Sequence, residues 1–291
     1  MSNLFLYGLT VLIWGSTWIG IKYQLGVVEP MASVGHRFFL SAVLMFLYLL
    51  LRRRPLRFPL RDHGVMLLQG LCLFCANYYC VYVSELTLPS GLVAVVFSNL
   101  MILNILNGAL FLKLPVHRQV LLGALLGLCG MVAVFWPELE ALNLSDDTFV
   151  ALLFCLAGTL SASFGNIIAV YHQRRQIPVL QGNAYGMIYG ALAMYLAAWV
   201  MGVPITVDWN PVYLVSLVYL AVFGSIIAFW AYITLIGRIG ADRAGYTNLL
   251  YPLVALMIST LVEGYLWSMA AIVGVGLVVL GNWLVMRAVK R

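Results

Sequence analysis

The chain has 291 residues, of which 64% are hydrophobic and only 9% are charged. Soluble domains carry about 25% charged residues, so most of this apolar surface must face lipid or other buried helices, which excludes a soluble globular protein. The net charge of +6 comes from short basic clusters between apolar runs. Such clusters are typical of membrane-orientation signals, and they do not indicate a nucleic-acid partner.

Ten apolar runs follow one another along the chain, each long enough to cross a bilayer as a helix. A membrane-spanning helix needs about 20 apolar residues, and the short connections between these runs favour antiparallel neighbouring helices. The predicted spans are 3–21, 31–51, 64–84, 90–112, 118–136, 149–171, 179–201, 212–236, 243–263 and 268–287. The sequence therefore predicts an all-α integral membrane protein with ten transmembrane helices.

The basic residues predict how these helices are oriented. If the N-terminus is cytoplasmic, all of the 16 Lys and Arg residues except Lys22 and Arg37 fall in cytoplasmic segments. This distribution agrees with the positive-inside rule. We therefore expect a multi-pass protein of the bacterial inner membrane with both termini in the cytoplasm.

The two halves of the chain resemble each other. Residues 23–30 match residues 171–178, with Tyr first and Pro last in both, and Lys113 then aligns with Glu263. The same spacing separates two pairs of glycines, which are Gly123 with Gly130 and Gly274 with Gly281. Each half holds five spans, and because five is odd, the second half enters the membrane from the opposite face. Such inverted repeats are typical of secondary transporters.

Three stretches make the family resemblance specific. They are "LIWGSTWIGIKY" near the N-terminus, "EPMASVGHRFFLSAVL" after it, and a fifth helix with spaced glycines. Together they resemble the drug/metabolite transporter superfamily, EamA type. The resemblance implies two inverted five-helix repeats, at 1–140 and 141–291, around a central cavity. It also implies a transporter that is not an enzyme.

Within that family the chain is similar to the YddG-type exporters of amino acids, including aromatic ones. Two positions of the first half depart from the family pattern. Ile102 stands where the fourth helix usually has proline, and Lys113 stands where that helix usually ends in glutamate, whereas Pro252 keeps the proline in the ninth helix.

Polar and aromatic residues lie deep in six of the apolar runs. Polar groups that face lipid are costly and should turn inward, and the resemblance places helices 1, 3, 4, 6, 8 and 9 around the cavity. The predicted substrate-binding residues are Trp14, Trp18, Asn77, Tyr78, Tyr82, Ser98, Asn99, Asn166, Trp230, Tyr246, Asn248 and Tyr251. An alternative holds for some amides, since Asn104 and Asn107 are one turn apart and such residues often only join helices.

Charged residues are absent from the centre of every predicted span. A proton-driven carrier usually needs an ionisable relay in the membrane, so we expect a uniporter or exporter without obligatory proton coupling. A neutral cavity rich in rings and amides suits amino acids, and aromatic faces also attract organic cations. A proton-coupled exporter of drugs or organic cations remains the alternative.

Arg37 is the unusual charge, because it lies early in the second predicted helix. One interpretation is a residue at the outer surface that extends to the lipid headgroups or pairs with Glu29. The other is a contact to a substrate carboxylate at the mouth of the cavity.

Two joints and one helix are candidates for motion during alternating access. The joints "LPSG" and "GRIGADRAG" connect equivalent helices of the two halves, and a proline inside a helix removes one backbone hydrogen bond. The predicted gating and hinge residues are Pro89, Gly91, Gly240 and Pro252.

Two other classes of protein fit this sequence less well than a transporter does. A membrane-embedded enzyme generally needs carboxylates, histidines or a metal near the membrane face, and a purely structural membrane protein should lack a polar cavity. The five cysteines lie inside apolar runs, and the Cys72–Cys75 pair has no second pair at ligand spacing, so neither metal nor cofactor is expected. The expected partners are a small-molecule substrate and membrane lipid, with the protein acting as a monomer.

Overall fold

The computed structural model describes residues 1–26, 28–142, 145–262 and 267–288. Every regular element in these ranges is helical. The helices of the first half are α1 (Asn3–Lys22), α2 (Pro30–Leu51), α3 (Leu60–Glu85), α4 (Ser90–Phe97), α5 (Leu100–Leu112), α6 (Arg118–Val134) and the short α7 (Trp136–Glu140). Those of the second half are α8 (Asp146–Arg174), α9 (Val179–Val200), α10 (Pro211–Ile239), the short α11 (Ala241–Ala244), α12 (Thr247–Val262) and α13 (Met269–Ala288).

Seven helical stretches in the described part are long and apolar enough to cross a membrane. They are Asn3–Lys22, Pro30–Leu51, Leu60–Glu85, Gly91–Leu112, Asp146–Arg174, Pro211–Ile239 and Met269–Arg287. The protein is therefore a multi-pass membrane protein. The Glu263 corner, predicted to be the counterpart of Lys113, lies outside the described residues.

Several helices differ in detail from the spans predicted by hydropathy. The stretch predicted as 90–112 is divided, because a turn at Ser98 and Asn99 separates α4 from α5. The stretch predicted to begin at residue 149 begins at Asp146, since the Ser145 hydroxyl accepts a hydrogen bond from the backbone of Thr148 and caps the helix. Hydropathy does not detect such caps, because they are polar.

Two of the helices contain wide turns at matching places in the two halves. Residues Gly70–Ala76 of α3 and Leu220–Ile227 of α10 form π-helix. In the second of these segments the Ser225 hydroxyl donates to the carbonyl of Leu220, five residues earlier, at 3.0 Å. Wide turns of this kind are frequent at functional sites, and both segments contribute to the site described below.

Helices α6 and α13 pack closely through their glycines. A side chain at Gly123 would collide with the carbonyl of Gly281, and one at Gly130 would collide with the carbonyl of Gly274. Small residues let membrane helices approach this closely. Since the earlier glycine of one helix meets the later glycine of the other, the two helices run antiparallel.

Helices α2 and α9 are also antiparallel, with aromatic contacts along their length. The His36 and Tyr195 rings lie 5.7 Å apart between centroids, and the Phe46 and Tyr185 rings lie 5.0 Å apart. The remaining contacts occur in matching pairs. Helix α1 packs on α10 and α12 as α8 packs on α3 and α5, and α3 packs on α9 as α10 packs on α2.

Candidate functional site

A cavity of about 80 Å³ lies between the helices that form these matching contacts. Six of the twelve predicted binding residues line it, and they are Trp14, Asn77, Tyr78, Asn166, Asn248 and Tyr251. Four further polar or aromatic residues line it that are not among the twelve predicted binding residues, namely Thr17, Phe97, Phe229 and Tyr232. Aliphatic residues complete the wall, and within the described part of the chain none of the lining side chains is charged.

Trp14 organises one side of this cavity. Its ring centroid lies 5.1 Å from that of Phe229, 4.9 Å from that of Tyr232 and 6.2 Å from that of Tyr251. The indole nitrogen donates to the carbonyl of Gly224 at 3.1 Å, which satisfies its one donor. The ring is therefore held in a fixed position, with an aromatic surface available to a ligand.

A neutral hydrogen-bond network borders the cavity where α5, α8 and α10 meet. We call Asn104, Asn166 and Tyr232 the Asn166 cluster. The Asn166 amide nitrogen donates to the Tyr232 hydroxyl at 3.1 Å and to the Asn104 amide oxygen at 3.3 Å. The Asn104 nitrogen in turn donates to the carbonyl of Ala241 in α11 at 3.1 Å. The cluster thus ties four helices together, and Asn104 has the joining role proposed for such amides.

Arg37 is buried inside the protein, with 1% of its surface exposed. Its Nε donates to the Ser225 hydroxyl at 2.9 Å, and its guanidinium carbon lies 4.6 Å from the centroid of the Tyr78 ring. The interpretation of Arg37 as a surface residue that reaches headgroups is therefore wrong. An ion pair with Glu29 is also absent among the residues that the structure describes. Helix packing, which hydropathy does not report, turns Arg37 toward α3 and α10.

Three further polar residues lie near Arg37, and we call Gln24, Arg37, Tyr82 and Glu85 the Arg37 cluster. The Gln24 side-chain oxygen accepts from the Tyr82 hydroxyl at 3.4 Å and from Ser33 at 3.2 Å. Four buried polar atoms have no partner in the two clusters, and they are Gln24 Nε2, Arg37 Nη1, Glu85 Oε1 and Asn166 Oδ1. Three of these four belong to the Arg37 cluster.

Five predicted binding residues lie outside the cavity lining. Tyr82 belongs to the Arg37 cluster, and Ser98 and Asn99 bond to carbonyls of their own helix at the turn between α4 and α5. Tyr246 is wedged between Gly127 and Gly281 and donates to the carbonyl of Val278 at 2.8 Å, while Trp230 faces a separate apolar pocket beside α2 and α9. The side chain of Trp18, the sixth, lies outside what the structure describes.

The four predicted gating and hinge residues lie at helix ends or inside α12. Pro89 precedes α4, Gly91 packs against the Phe135 ring, and Pro252 lies inside α12. Gly240 has a φ of +91°, a conformation that favours glycine, and separates α10 from α11.

Some of the missed lining residues carried a signal in the sequence. Tyr232 aligns with Tyr82 at the same offset that aligns Glu263 with Lys113, and Thr17 lies inside the "LIWGSTWIGIKY" stretch. Phe97 and Phe229 are indistinguishable from lipid-facing phenylalanines by sequence, since only packing decides which face of a helix turns inward.

The sequence of this chain matches a known protein family in both halves. The EamA-like transporter family matches residues 1–136 and 149–287, so the family pattern occurs twice and covers most of the chain. The chain belongs to the EamA-like transporter family. This membership confirms the resemblance found in the sequence.

Two of three similar proteins have names that describe them as transporters. The chain is 30% identical to the uncharacterized inner membrane transporter YedA of Escherichia coli K12, over 92% of this chain and 85% of that one. It is 22% identical to the protein PagO of Salmonella typhimurium LT2, over 97% and 92% of the two chains. It is 24% identical to the uncharacterized transporter YoaV of Bacillus subtilis 168, over 84% and 83%.

A crystal structure of a protein at 18% identity has the same fold, with a TM-score of 0.80 over 100% of this chain and 98% of the other. Family and relatives together show that the EamA-like protein is a membrane transporter and not an enzyme.

Proposed function

We propose that this EamA-like protein carries amino acids, including aromatic ones, across the inner membrane by alternating access, without obligatory proton coupling. The single observation that supports this best is the cavity wall. It combines the Trp14, Phe229 and Tyr251 rings with the Asn77 and Asn248 amides and has no charged side chain among the described lining residues. Rings provide apolar contact area for a substrate side chain, and amides provide hydrogen bonds that fix its orientation.

The proposed topology is ten spans in two inverted five-helix repeats, 1–140 and 141–291, with both termini cytoplasmic. The reciprocal glycine contacts of α6 and α13 support it, because equivalent helices that pack antiparallel are related by a two-fold axis in the membrane plane. The antiparallel pair α2 and α9 and the matching contacts of the other helices support the same axis. Pro89, Gly91, Gly240 and Pro252 are the proposed joints for motion.

A proton-coupled exporter of organic cations is the second candidate, and Glu85 favours it. This residue has a buried carboxylate oxygen without a partner, and a buried carboxylate in a membrane helix often acts as a proton relay. Glu85 does not line the cavity, however, so we place this candidate second.

Proteoliposomes made from the purified full-length protein test the proposal. Vesicles loaded with unlabelled L-phenylalanine should accumulate labelled L-phenylalanine by exchange, at equal pH on both sides. Uptake that occurs only with an imposed pH gradient would support the proton-coupled exporter instead. Exchange of quaternary amines but of no amino acid would contradict the proposed substrate.

Trp14→Ala is expected to weaken this exchange by about tenfold or more, because the ring contacts three other aromatic side chains at the cavity. Trp199→Ala is the matched control, since Trp199 lies on α9 with 75% of its surface exposed. The half-saturation concentration for L-phenylalanine is the measurement. Equal half-saturation concentrations for the two variants would show that Trp14 does not contribute to substrate binding.

A further inference from the structure

Arg37 carries a buried positive charge that its surroundings only partly satisfy. A guanidinium has five N–H donors. Nε is bonded to Ser225, the Tyr78 ring lies beneath the group, and Nη1 has no hydrogen-bond partner. An arginine inside the membrane usually pairs with an acid or a carbonyl. The unfilled Nη1 therefore indicates a site for an anionic group that comes from outside the protein.

Glu85 is the complementary charge at the same place. Its Oε1 is buried and has no hydrogen-bond partner, and Glu85 follows Tyr82 by three residues on α3, so the two side chains lie on the same face of the helix. No ion pair joins the two residues in the described part of the chain. Each of the two charged groups therefore keeps one buried, unpartnered atom for a ligand that carries both signs of charge.

Two contacts connect Arg37 to the cavity, one at the Tyr78 ring and one beside Gly224. Tyr78 lines the cavity, and the centroid of its ring lies 4.6 Å from the guanidinium carbon of Arg37. A side-chain carbon at Gly224 would lie 2.9 Å from the Thr17 methyl and 3.0 Å from Arg37 Nη2. Because Gly224 has no side chain, Arg37 reaches the space next to the cavity-lining Thr17.

We propose that Arg37 and Glu85 bind the α-carboxylate and the α-ammonium group of a zwitterionic amino acid, while its side chain enters the cavity beside Trp14. This inference rests on the proposed amino-acid function and adds the groups that recognise the backbone of the substrate. Arginine binds carboxylates through paired hydrogen bonds, and the free Gln24 Nε2 is a further donor in the same cluster. The carboxylate and the ammonium group of the ligand would then be the partners that Arg37 and Glu85 lack within the protein.

Four ligands that differ only at these two groups test the inference. They are L-phenylalanine, its methyl ester, phenethylamine and 3-phenylpropanoate, each titrated by calorimetry into the full-length protein in detergent. The ester and phenethylamine lack the carboxylate, and 3-phenylpropanoate lacks the ammonium group. We expect each analogue to bind about tenfold or more weakly than L-phenylalanine, because each leaves one buried charge unpaired.

Two variants assign the discrimination to its residues. Arg37→Gln should remove the preference for L-phenylalanine over its methyl ester and keep the preference over 3-phenylpropanoate. Glu85→Gln should remove the preference for L-phenylalanine over 3-phenylpropanoate and keep the preference over the methyl ester. Arg54→Gln and Glu140→Gln are the matched controls, since both side chains are exposed, and they should leave all four affinities unchanged. Monodisperse elution on size exclusion confirms that each variant is folded.

Several results would overturn the inference. Equal affinity of the unmodified protein for all four ligands would do so without any variant, even if Arg37→Gln does not fold. If both variants fold and still prefer L-phenylalanine over the three analogues, Arg37 and Glu85 have only a structural role. Failure of the proposed function looks different, because then no amino acid binds or exchanges, whereas here L-phenylalanine binds without discrimination at its charged groups.

Discussion

The two polar clusters around the cavity are built on equivalent tyrosines and differ in kind. Tyr82 donates to Gln24 in the Arg37 cluster, and Tyr232 accepts from Asn166 in the Asn166 cluster. The first cluster contains two charges and three unpartnered buried atoms, whereas the second is neutral and has one. A neutral network whose groups mostly bond to one another holds helices together, and unsatisfied charges indicate recognition of a ligand. The same repeat position thus serves packing in one half and, in our proposal, binding in the other.

The connections beside the two clusters differ in the same sense. Ala241 and Ala244 of α11 are fully buried next to the Asn166 cluster. Pro89, at the equivalent joint after α3, is exposed, and Gly91 is half-buried. The two joints therefore differ in exposure, with the joint beside the Asn166 cluster more deeply buried at these positions.

Asn166→Leu should have the largest effect on the stability of the fold. It removes both donations from the amide and leaves the Asn104 oxygen and the Tyr232 hydroxyl buried without that partner. Leaving buried groups unpaired costs about 1–3 kcal/mol. We expect a lower thermal unfolding temperature in detergent, with Asn99→Leu as the milder control, since Asn99 bonds only to its own helix. An unchanged unfolding temperature would show that the Asn166 cluster does not tie the helices together.

Tyr82→Phe and Tyr232→Phe compare the two equivalent tyrosines directly. Each removes one hydroxyl from a buried network, worth about 1 kcal/mol. We expect Tyr232→Phe to lower mainly the unfolding temperature and Tyr82→Phe to lower mainly the affinity for L-phenylalanine, by about fivefold. Thermal unfolding and calorimetry on both variants measure the two effects. If both variants changed the same quantity to the same extent, the contrast between the clusters would be lost.

Ser225→Ala should have the smallest effect, because it removes one hydrogen bond from Arg37 and leaves the charge in place. A looser guanidinium should weaken L-phenylalanine binding by about threefold, and the preference over the methyl ester should persist. Ser216→Ala is the control, since Ser216 lies on the same helix and its hydroxyl donates to the carbonyl of Tyr213, one turn earlier. Complete loss of the preference would mean that Ser225, and not Arg37, contacts the carboxylate.

The membrane character and the family were predictable because they depend on local properties. Hydropathy over about 20 residues detects a span wherever its neighbours lie, and the family motifs are contiguous stretches such as "WGSTW". The same locality explains the errors at helix ends. The cap at Ser145 and the turn at Ser98 and Asn99 depend on single hydrogen bonds, which change the average hydropathy of a segment very little.

The composition of the cavity was partly predictable, through depth in the apolar runs and through the repeat. Trp14, Tyr78 and Asn166 lie deep in their apolar runs and also line the cavity. Tyr246 also lies deep in its run, but it does not line the cavity, because its side chain packs against α13 and its hydroxyl donates to the carbonyl of Val278. Depth places a residue along a helix, but it does not give the direction in which the side chain points around the helix axis.

The sequence by itself determined that this is a helical membrane transporter of the EamA-like family, with rings and amides in its membrane segments and almost no charge. Only the tertiary structure decided which of those groups share a cavity and that Arg37 is buried against Tyr78 and Ser225. The physical reason is that burial in the bilayer is a property of one segment, whereas the partner of a charge is set by how distant helices cross. Arg37 and Ser225 meet across two halves of the chain, and no local pattern in either half records that contact.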